Sequence, residues 1–309
     1  MTASNRNGFL LLDKKMGLTS FDSLARVKEV FATGKVGHIG TLDKFASGLL
    51  LVLVGRAVKL NFLFKNCIKE YFGTVSFGTE TDTLDPEGAV IASGKVPSIG
   101  EVEVVLGNFR GDILQSPPAY SAIHINGRRA HELAREGKAP MVKQRPVSVF
   151  ELEIISWAPP IAEIRAVVSS GTYIRSLVRD IALAVGSRAH LSALKRTRIG
   201  PFRLDEAVAH KPTGDDGQNL SKALRPLDKA LFDALSVPSF FIDEHSANGF
   251  LNGRPLEALL KPPGFSNDNI DINKPGTAGV FRENNPNELL GVIENHGGKW
   301  FYVYVFRAN

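Results

Sequence analysis

Residues 37–54 read GHIGTLDKFASGLLLVLV, a polar segment with spaced glycines that leads directly into an uninterrupted apolar block. The block from Leu49 to Val54 has the length and composition of a buried strand. The segment before it, from Gly34 to Ser47, shows no period, and its glycines permit close approach of another backbone. We therefore predict a functional loop, with Asp43 near its polar tip, directly in front of a buried strand.

The chain on either side alternates between strand and helix patterns. Strands are predicted at residues 9–12, 70–77, 147–155 and 161–168, and helices are predicted from Thr19 or Ser20 to Gly34, at 99–106 and at 173–185. Asn126-Gly127 predicts a hairpin turn. After the Pro-, Gly- and Asp-rich segment 210–219, short apolar runs from about residue 237 predict a small β-rich appendix.

The charge of the chain is distributed unevenly. The 37 basic and 32 acidic residues give a net charge of +5, but residues 165–203 hold eight basic residues against Asp180. Residues 79–103 carry six acids against Lys95 alone. This segregation suggests a polyanion-binding face and an opposite acidic face, and from charge alone a nucleic-acid partner and a merely solvated surface are equally favoured.

Several classes of protein lack their signatures here. The chain of 309 residues is 43% apolar, which favours a soluble globular protein, and its single cysteine, Cys67, excludes an intrachain disulfide. The sequence shows no signal peptide and no apolar run long enough to cross a membrane, so we expect a cytoplasmic location. No phosphate-binding loop, dinucleotide fingerprint, metal-ligand cluster or hydrolase serine elbow is present, so we expect neither a nucleotide cofactor nor a metal.

Arg175 occupies an unusual position for a cation. If Ser170 or Thr172 caps the helix that follows, Arg175 lies in its first turn, where the helix dipole disfavours positive charge. Arg175 and Arg179 are four residues apart and share a face other than the apolar one. The placement favours an anionic partner, either a phosphate or a carboxylate such as Asp43, and the alternative is a guanidinium that extends into water.

Eight short motifs lie in order between residues 9 and 208. They are GHIGTLD at 37–43 with ASGLL at 46–50, YFG at 71–73, TDT at 81–83 with EG at 87–88, Gln115 with PP at 117–118 and YSA at 120–122, Gly127 with AR at 134–135, GTYIRSL at 171–177, HLSAL at 190–194 with RT at 196–197, and GPF at 200–202. Together they resemble the TruB family of tRNA pseudouridine synthases. Two departures are Lys15 and Lys44, which replace the usual prolines and remove the fixed φ of those positions.

The resemblance implies an enzyme that isomerises uridine 55 in the T-loop of tRNA to pseudouridine without cofactor or metal. Asp43 matches the catalytic aspartate, which acts as nucleophile or helps to form a glycal, and Tyr71 matches the tyrosine that stacks on the target base. Arg175 matches the arginine that pairs with the catalytic carboxylate. Tyr173 and Leu194 match pocket residues, and His38 matches a histidine that occupies the space of the flipped uridine.

The resemblance also implies a domain organisation and an RNA-binding surface. We expect an α+β catalytic domain at residues 1–235, built on a mixed, largely antiparallel sheet flanked by helices. An RNA-binding insertion is expected at about 120–145, and a small PUA-like domain at 236–309. The candidate phosphate contacts are Arg179, Arg188, Arg196 and Arg198.

Two other functions remain open at this point. One is a tRNA-binding or tRNA-folding chaperone without chemistry, although the joint presence of Asp43, Tyr71 and Arg175 argues against binding alone. The other is a related synthase with a different RNA target, ribosomal or box-guided. Nothing in the sequence indicates obligate assembly, so we expect a monomer that binds the T-arm of tRNA.

Overall fold

The computed structural model describes residues 7–121, 124–125, 128–129, 136, 143–209, 217–260 and 275–307. Within these ranges the chain forms a ten-stranded sheet and a separate four-stranded sheet. The strands of the large sheet are β1 (Gly8–Lys14), β2 (Val36–Ile39), β3 (Ser47–Val54), β4 (Lys69–Phe77), β7 (Gly111–Gln115), β10 (Arg145–Ala158), β11 (Ile161–Val168), β12 (Ala189–Ile199), β13 (Phe202–Arg203) and β14 (Val208–Ala209). Two short pairs stand apart, β5 (Thr79–Thr81) with β6 (Val90–Ser93), and β8 (His124–Ile125) with β9 (Arg128–Arg129).

The helices are mostly short. They are α1 (Ala25–Val30), α2 (Ile99–Leu106), α3 (Ile174–Ala184), α4 (Gly217–Lys222), α5 (Lys229–Ala234), α6 (Glu244–Leu251) and α7 (Leu256–Leu259), with 3₁₀ segments at Asp22–Leu24, Gly55–Phe64, Gly107–Phe109 and Leu204–Glu206. The helix predicted to run to Gly34 is thus shorter, a 3₁₀ turn followed by α1. None of the helices in the described ranges combines the length and apolarity needed to cross a membrane.

The order of the large sheet is β14-β1-β3-β12-β4-β11-β10-β7, with β2 beside β3 and β13 beside β12. The β1–β14 and β3–β12 pairs are parallel, and the remaining described pairs are antiparallel. This arrangement confirms the predicted α+β fold with a mixed, largely antiparallel sheet. It also places β3 and β4 on either side of β12, near the middle of the sheet.

Strand β3 is the buried strand predicted from the apolar block. Leu49, Leu51 and Leu53 pack into one apolar core, whereas Leu50, Val52 and Val54 pack into another on the opposite face. Because both faces of the strand are covered, its sequence shows no alternation.

The segment predicted as an aperiodic loop contains a strand. Strand β2 pairs antiparallel with β3, from Val36 opposite Val54 to Ile39 opposite Leu51. Its side chains are mostly half-buried and it is followed by Gly40, which has a φ of +67°. Such a short strand, with Gly37 and His38 inside it, shows no period in its sequence. Because β2 ends before Gly40 and β3 begins at Ser47, the loop consists of residues 40–46.

Helix α3 carries the residues that follow the GTY motif. The expected cap by Ser170 or Thr172 is wrong, because the helix begins after Tyr173 without a side-chain cap. Instead, the Gln115 Oε1 accepts a 2.8 Å hydrogen bond from the Tyr173 backbone N–H, and the Gln115 Nε2 donates to the Tyr173 carbonyl. A long-range amide thus replaces a local cap.

The face shared by Arg175 and Arg179 is covered rather than exposed. Arg179 Nη2 donates to the Ser116 carbonyl at 3.0 Å, and Arg175 Nη2 donates to the Tyr120 carbonyl at 3.1 Å. Arg175 is only 4% exposed. The alternative of an arginine that extends into water is therefore wrong for Arg175, because the segment 116–120 lies over it.

The predicted separation of a basic face from an opposite acidic face is also wrong. The acids of residues 79–103 lie against the basic segment: Asp85 is 3.0 Å from Arg175, and Glu80 is 3.5 Å from Arg188. Arg165 likewise lies 2.8 Å from Glu70. Opposite charges far apart in sequence pair across the fold, so part of the basic excess is neutralised by ion pairs.

The C-terminal residues form the predicted small β-rich unit. Its strands are β15 (Ser239–Ile242), β16 (Gly276–Arg282), β17 (Asn285–His296) and β18 (Lys299–Val305), in the order β15-β16-β17-β18. An apolar core joins it to the large sheet, since Phe281 and Leu289 pack in one cluster with Phe9 and Leu60. The boundary at 235/236 stays a prediction; it falls between α5 and β15.

Two predictions concern segments that are largely outside the described residues. Most of the insertion at 120–145 is one of them, although β8 and β9 pair antiparallel as a hairpin requires. The Asn126-Gly127 turn itself lies outside the described ranges, as does most of the segment 210–219.

Candidate active site

A cavity of about 300 Å³ opens between the loop after β2, strands β4 and β12, and the start of α3. This volume lies at the lower end of the range typical of ligand-binding pockets. Six of the sequence-predicted site residues line it: Asp43, Tyr71, Tyr173, Arg175, Leu194 and Arg196. Residues from four separate segments therefore meet in one cavity.

The strand pairing explains how β4 and β12 contribute. Tyr71 lies directly opposite Arg196, and Gly73 lies opposite Leu194. Alternate residues of a strand face the same side of a sheet, so Lys69 and Tyr71 on β4 share a face with Leu194 and Arg196 on β12. This face is the wall of the cavity.

Asp43 and Arg175 form an ion pair in the cavity. The Arg175 Nε lies 2.9 Å from the Asp43 Oδ2, and the two side chains are 5% and 37% exposed, respectively. The Arg175 N–H does not point well enough at the carboxylate to count as a hydrogen bond. The carboxylate is thus held by charge at one edge while much of it faces the open cavity.

Arg175 is fixed from its other side by a carboxylate that the sequence reasoning did not select. Its Nη1 lies 3.0 Å from the Asp85 Oδ2 and also donates to the Thr83 carbonyl at 2.6 Å. Asp85 is itself held by the Thr83 hydroxyl and the Glu87 backbone N–H, both of which donate to its Oδ1. A buried arginine needs more than one acceptor, but the sequence does not show which of its acids supplies the second one.

The charges around Asp43 act on its protonation in opposing directions. Burial raises the pKa of the Asp43 carboxyl above its ordinary value, and the charge of Asp85 acts in the same direction, whereas Arg175 and Lys14 oppose the shift. The pKa of Lys14 is lowered to about 8, chiefly by burial. Lys14 is fully buried and donates to the Ala46 carbonyl at 2.5 Å, behind the loop that carries Asp43.

Two tyrosines form the aromatic part of the wall. Tyr71 is 7% exposed and packs in the core that also holds Leu194. Tyr173 lies under the guanidinium of Arg145, 4.8 Å from ring centre to guanidinium carbon, a cation–π contact. Arg145 also lines the cavity. It was missed from the sequence, where it is one of several basic residues at the end of the predicted insertion.

His38 and three of the predicted phosphate contacts are not among the residues that line this cavity. His38 lines a neighbouring depression, and its Nε2 is 3.2 Å from the Thr41 hydroxyl. Burial, followed by the charge of Arg196, lowers the pKa of His38, which favours the neutral imidazole. Arg179 pairs with Asp180, Arg188 with Glu80, and Arg198 lies 3.8 Å from Glu70.

Arg196 differs from the other predicted phosphate contacts. It is fully buried, and its Nε and Nη2 donate to the carbonyls of Leu49 and Gly40, both at 2.8 Å. It therefore does not lie on an open surface, as its place in a basic run had suggested. Within the described ranges, no three His, Cys, Asp or Glu side chains lie close enough together to share a metal ion.

Comparisons with known proteins show which proteins this chain is similar to. Two family models match, the TruB family pseudouridylate synthase N-terminal domain over residues 28–174 and the tRNA pseudouridylate synthase B C-terminal domain over residues 175–232. A protein named tRNA pseudouridine synthase B from Borreliella burgdorferi is 38% identical over 97% of this chain and 99% of its own length. One of the same name from Francisella tularensis subsp. novicida is 44% identical over 96% of this chain and 93% of its own.

Among solved structures, a chain from the crystal structure of a Cbf5-Nop10-Gar1 complex matches with a TM-score of 0.69. At 24% identity, over 98% of this chain and 85% of that chain, it shows a shared fold. The family models and the named relatives, together with this fold, therefore define a pseudouridine synthase, an isomerase. Within that class, the chain belongs to the TruB family of pseudouridylate synthases, which confirms the resemblance found in the sequence motifs.

Proposed function

We propose that this enzyme converts uridine 55 in the T-loop of tRNA into pseudouridine. The proposal of tRNA as substrate is supported by relatives that are named tRNA pseudouridine synthase B and align over nearly the whole chain. The choice of uridine 55 and of the T-arm follows from the TruB motifs. The observation that carries the chemistry is the carboxylate of Asp43, paired with a buried arginine and open to a cavity beside Tyr71.

The isomerisation exchanges an N1–C1′ bond for a C5–C1′ bond. We assign to Asp43 either attack on the ribose or base, or assistance in forming a glycal, while the N1–C1′ bond breaks and the uracil leaves with the bonding electrons. The base then turns within the cavity, C5 bonds to C1′, the C5 proton is lost and N1 gains a proton. Each of these roles requires Asp43 to be ionised, and the charge of Arg175 favours that state.

Tyr71 is proposed to stack on the target base and to assist removal of the C5 proton. Tyr173 and Leu194 complete the wall against which the base turns. A base inside a structured loop cannot reach this cavity, so the uridine must be flipped out, at a cost of a few kcal/mol that contacts to the RNA backbone must offset. We assign such contacts to Arg179, Arg188 and Arg198, and we propose that His38 occupies the space that the uridine leaves in the RNA.

We propose that the enzyme needs no cofactor or metal, acts as a cytoplasmic monomer, and uses residues 1–235 for catalysis and 236–309 for RNA binding. The 120–145 insertion would contact the RNA. Two other functions are less well supported. A chaperone without chemistry does not account for a buried arginine paired with a cavity carboxylate, and nothing in the described residues favours a ribosomal or box-guided target over tRNA.

The experiment that tests the proposal is tritium release from a tRNA transcript labelled at C5 of uridine. The wild-type protein, without added metal or cofactor, is expected to release tritium from a transcript with uridine at position 55 and not from one with cytidine there. Asp43→Asn is expected to bind the transcript and release none. Tritium release at the wild-type rate by Asp43→Asn would show that the assignment of the nucleophile is wrong.

A further inference from the structure

Two buried cations face the cavity without a carboxylate partner among the described residues. Arg196 is fully buried, and its Nη1 has no hydrogen-bond partner although Nε and Nη2 are both satisfied. Lys69 is 5% exposed, and its Nζ donates to the Cys67 carbonyl at 2.8 Å. Neither residue forms an ion pair in the described ranges, whereas Arg175, in the same cavity, has two carboxylates.

The two cations lie close to each other at Gly40. A Cβ built on Gly40 would lie 3.1 Å from the Arg196 Nη1 and 3.3 Å from the Lys69 Cε. The absence of a side chain at Gly40 therefore lets the Arg196 guanidinium and the Lys69 side chain come together at one corner of the cavity wall. A side chain at this position would fill that corner, and the positive φ of Gly40 independently disfavours one.

The arrangement is costly in the protein alone. Burial is the main reason that the pKa of Lys69 falls to about 8, and the charge of Arg196 lowers it further. A buried guanidinium nitrogen without an acceptor also carries an uncompensated desolvation cost. Uncompensated buried charge of this kind is typical of a site that is completed by a ligand of opposite charge.

We infer that Lys69 and Arg196 form a phosphate-binding site that holds the phosphodiester next to the flipped nucleotide. This inference rests on the proposed function, because it takes RNA as the source of the phosphate. One phosphodiester brings one negative charge and two acceptor oxygens, which suits one ammonium and one guanidinium N–H. Gly40, Lys69 and Arg196 line the same cavity as Asp43, and on this basis the inferred site places a phosphate that flanks the target ribose in this part of the wall.

The site adds Lys69 to the predicted phosphate contact Arg196 and places both inside the cavity. Lys69 was not among the predicted site residues, and Arg196 was expected on an open surface. In the inferred site both residues act from inside the cavity, and they hold the target nucleotide by its backbone rather than by its base. They would therefore bind any flipped nucleotide, and the base would be selected by Tyr71 and its neighbours.

The test removes the charge of Lys69 and the charge of one phosphodiester, separately and together, and measures RNA binding. Binding is measured with T-arm stem-loop RNAs in which a single phosphodiester, 5′ or 3′ of the target uridine, is replaced by an uncharged methylphosphonate. The proteins carry Asp43→Asn to suppress turnover, with and without Lys69→Met. Removing one charge-assisted contact is expected to weaken binding about 10- to 100-fold.

One of the two methylphosphonates is expected to weaken binding to the Lys69 protein and to have much less effect once Lys69→Met is present. The inference is overturned if, for both the 5′ and the 3′ methylphosphonate, the loss of affinity multiplies with the loss caused by Lys69→Met. Groups that do not interact contribute additively to the binding free energy, so their fold-changes multiply. Lys195→Met is the matched control. Lys195 precedes Arg196 on β12, but it is exposed and lies on the opposite face of the sheet. It is expected to lower affinity equally for the charged and the neutral RNAs, or not at all.

Two further measurements keep the result interpretable. Lys69→Met is expected to melt at or above the wild-type temperature, because it removes a buried charge and keeps the volume; a protein that fails to fold is replaced by Lys69→Gln. Inorganic phosphate alone is added to both proteins. One contradicting result is that phosphate raises the melting temperature of the Lys69 protein while the affinity losses from Lys69→Met and from the methylphosphonates still multiply. That result would show that the site binds free phosphate and that the assignment to RNA is wrong.

Failure of this inference is distinguishable from failure of the proposed function. If wild-type protein modifies uridine 55 and the losses multiply, the function stands and the phosphate site does not. If no uridine is modified in any transcript, the proposed function fails whatever the binding measurements show.

Discussion

The Asp43 carboxylate and the Arg175 guanidinium lie 2.9 Å apart in the cavity wall, and the arginine is almost fully enclosed whereas the carboxylate is partly exposed to the cavity. The arginine is anchored on its far side by Asp85 and by two backbone carbonyls, so its position does not depend on Asp43. A fixed cation beside a partly open carboxylate gives that carboxylate a defined place without covering it. This is what a reaction at a flipped nucleotide requires.

Arg175→Lys is expected to reduce the rate of conversion far more than RNA binding. A lysine keeps the charge but loses the planar fork that contacts Asp43, Asp85 and Thr83 simultaneously. We expect the single-turnover rate of tritium release to fall about 100-fold, as misplacement of a reacting group typically does, while the Kd for tRNA changes little. Arg203→Lys is the control, because Arg203 is exposed and does not line the cavity, and it should retain most of the activity. Equal losses of rate and affinity in Arg175→Lys would instead make it a phosphate contact.

Asp85→Ala is expected to destabilise the protein as well as to slow it. Asp85 and Arg175 are 6% and 5% exposed, and removal of Asp85 leaves the buried arginine with the partly exposed Asp43 as its remaining carboxylate, at a cost of up to about 3 to 5 kcal/mol. Urea unfolding should show this as a lower free energy of unfolding at neutral pH. Glu87→Ala is the matched control, since Glu87 is in the same loop but exposed, and it should change stability by no more than about 0.5 kcal/mol. An Asp85 variant as stable as that control would contradict the buried pair.

The sequence predicted those parts of the molecule whose patterns are local. The apolar block of β3 and the helical spacing of α3 are each decided by their own side chains, and both were confirmed. Strand β2 was not predictable, because its pairing depends on which edge of β3 is free. Asp85 and Gln115 act on residues about 90 and 58 positions away along the chain, and no local pattern encodes such a contact. Lys69 was readable in principle, since it shares a strand face with Tyr71, where a charged residue is unusual.

The pH dependence of the reaction is expected to show an acid limb above the range of an ordinary aspartate. Because burial raises the pKa of Asp43, the carboxylate becomes protonated at a higher pH than the ordinary value of about 4 and then lacks both its nucleophilic oxygen and its charge. Single-turnover rates should therefore fall as the pH is lowered, with a midpoint clearly above 4. Melting temperatures recorded at the same pH values exclude acid unfolding as the cause. A midpoint at or below the ordinary value would show that Arg175 and Lys14 outweigh the effect of burial.

The stability of the protein is expected to rise between about pH 8 and pH 10.5 because of Lys14 and Lys69, whose pKa values are both lowered to about 8, and Lys14 supplies a separable part of this rise. The pKa of Lys14 is about 8 in the folded chain and near 10.5 when the chain is unfolded, so within this window the unfolded state binds more protons, and the free energy of unfolding increases with pH. Below pH 8 both states are charged, and the folded state carries the full penalty, up to about 3 kcal/mol.

Lys14→Met should remove this part of the pH dependence, whatever it does to the absolute stability by leaving the Ala46 carbonyl without its donor. Lys15→Met is the control, because Lys15 is adjacent but about half exposed and its variant should keep the wild-type slope. The measurement is urea unfolding of all three proteins at several pH values across the window. A slope that Lys14→Met leaves intact would mean that Lys14 reaches solvent and keeps its ordinary pKa in the folded protein.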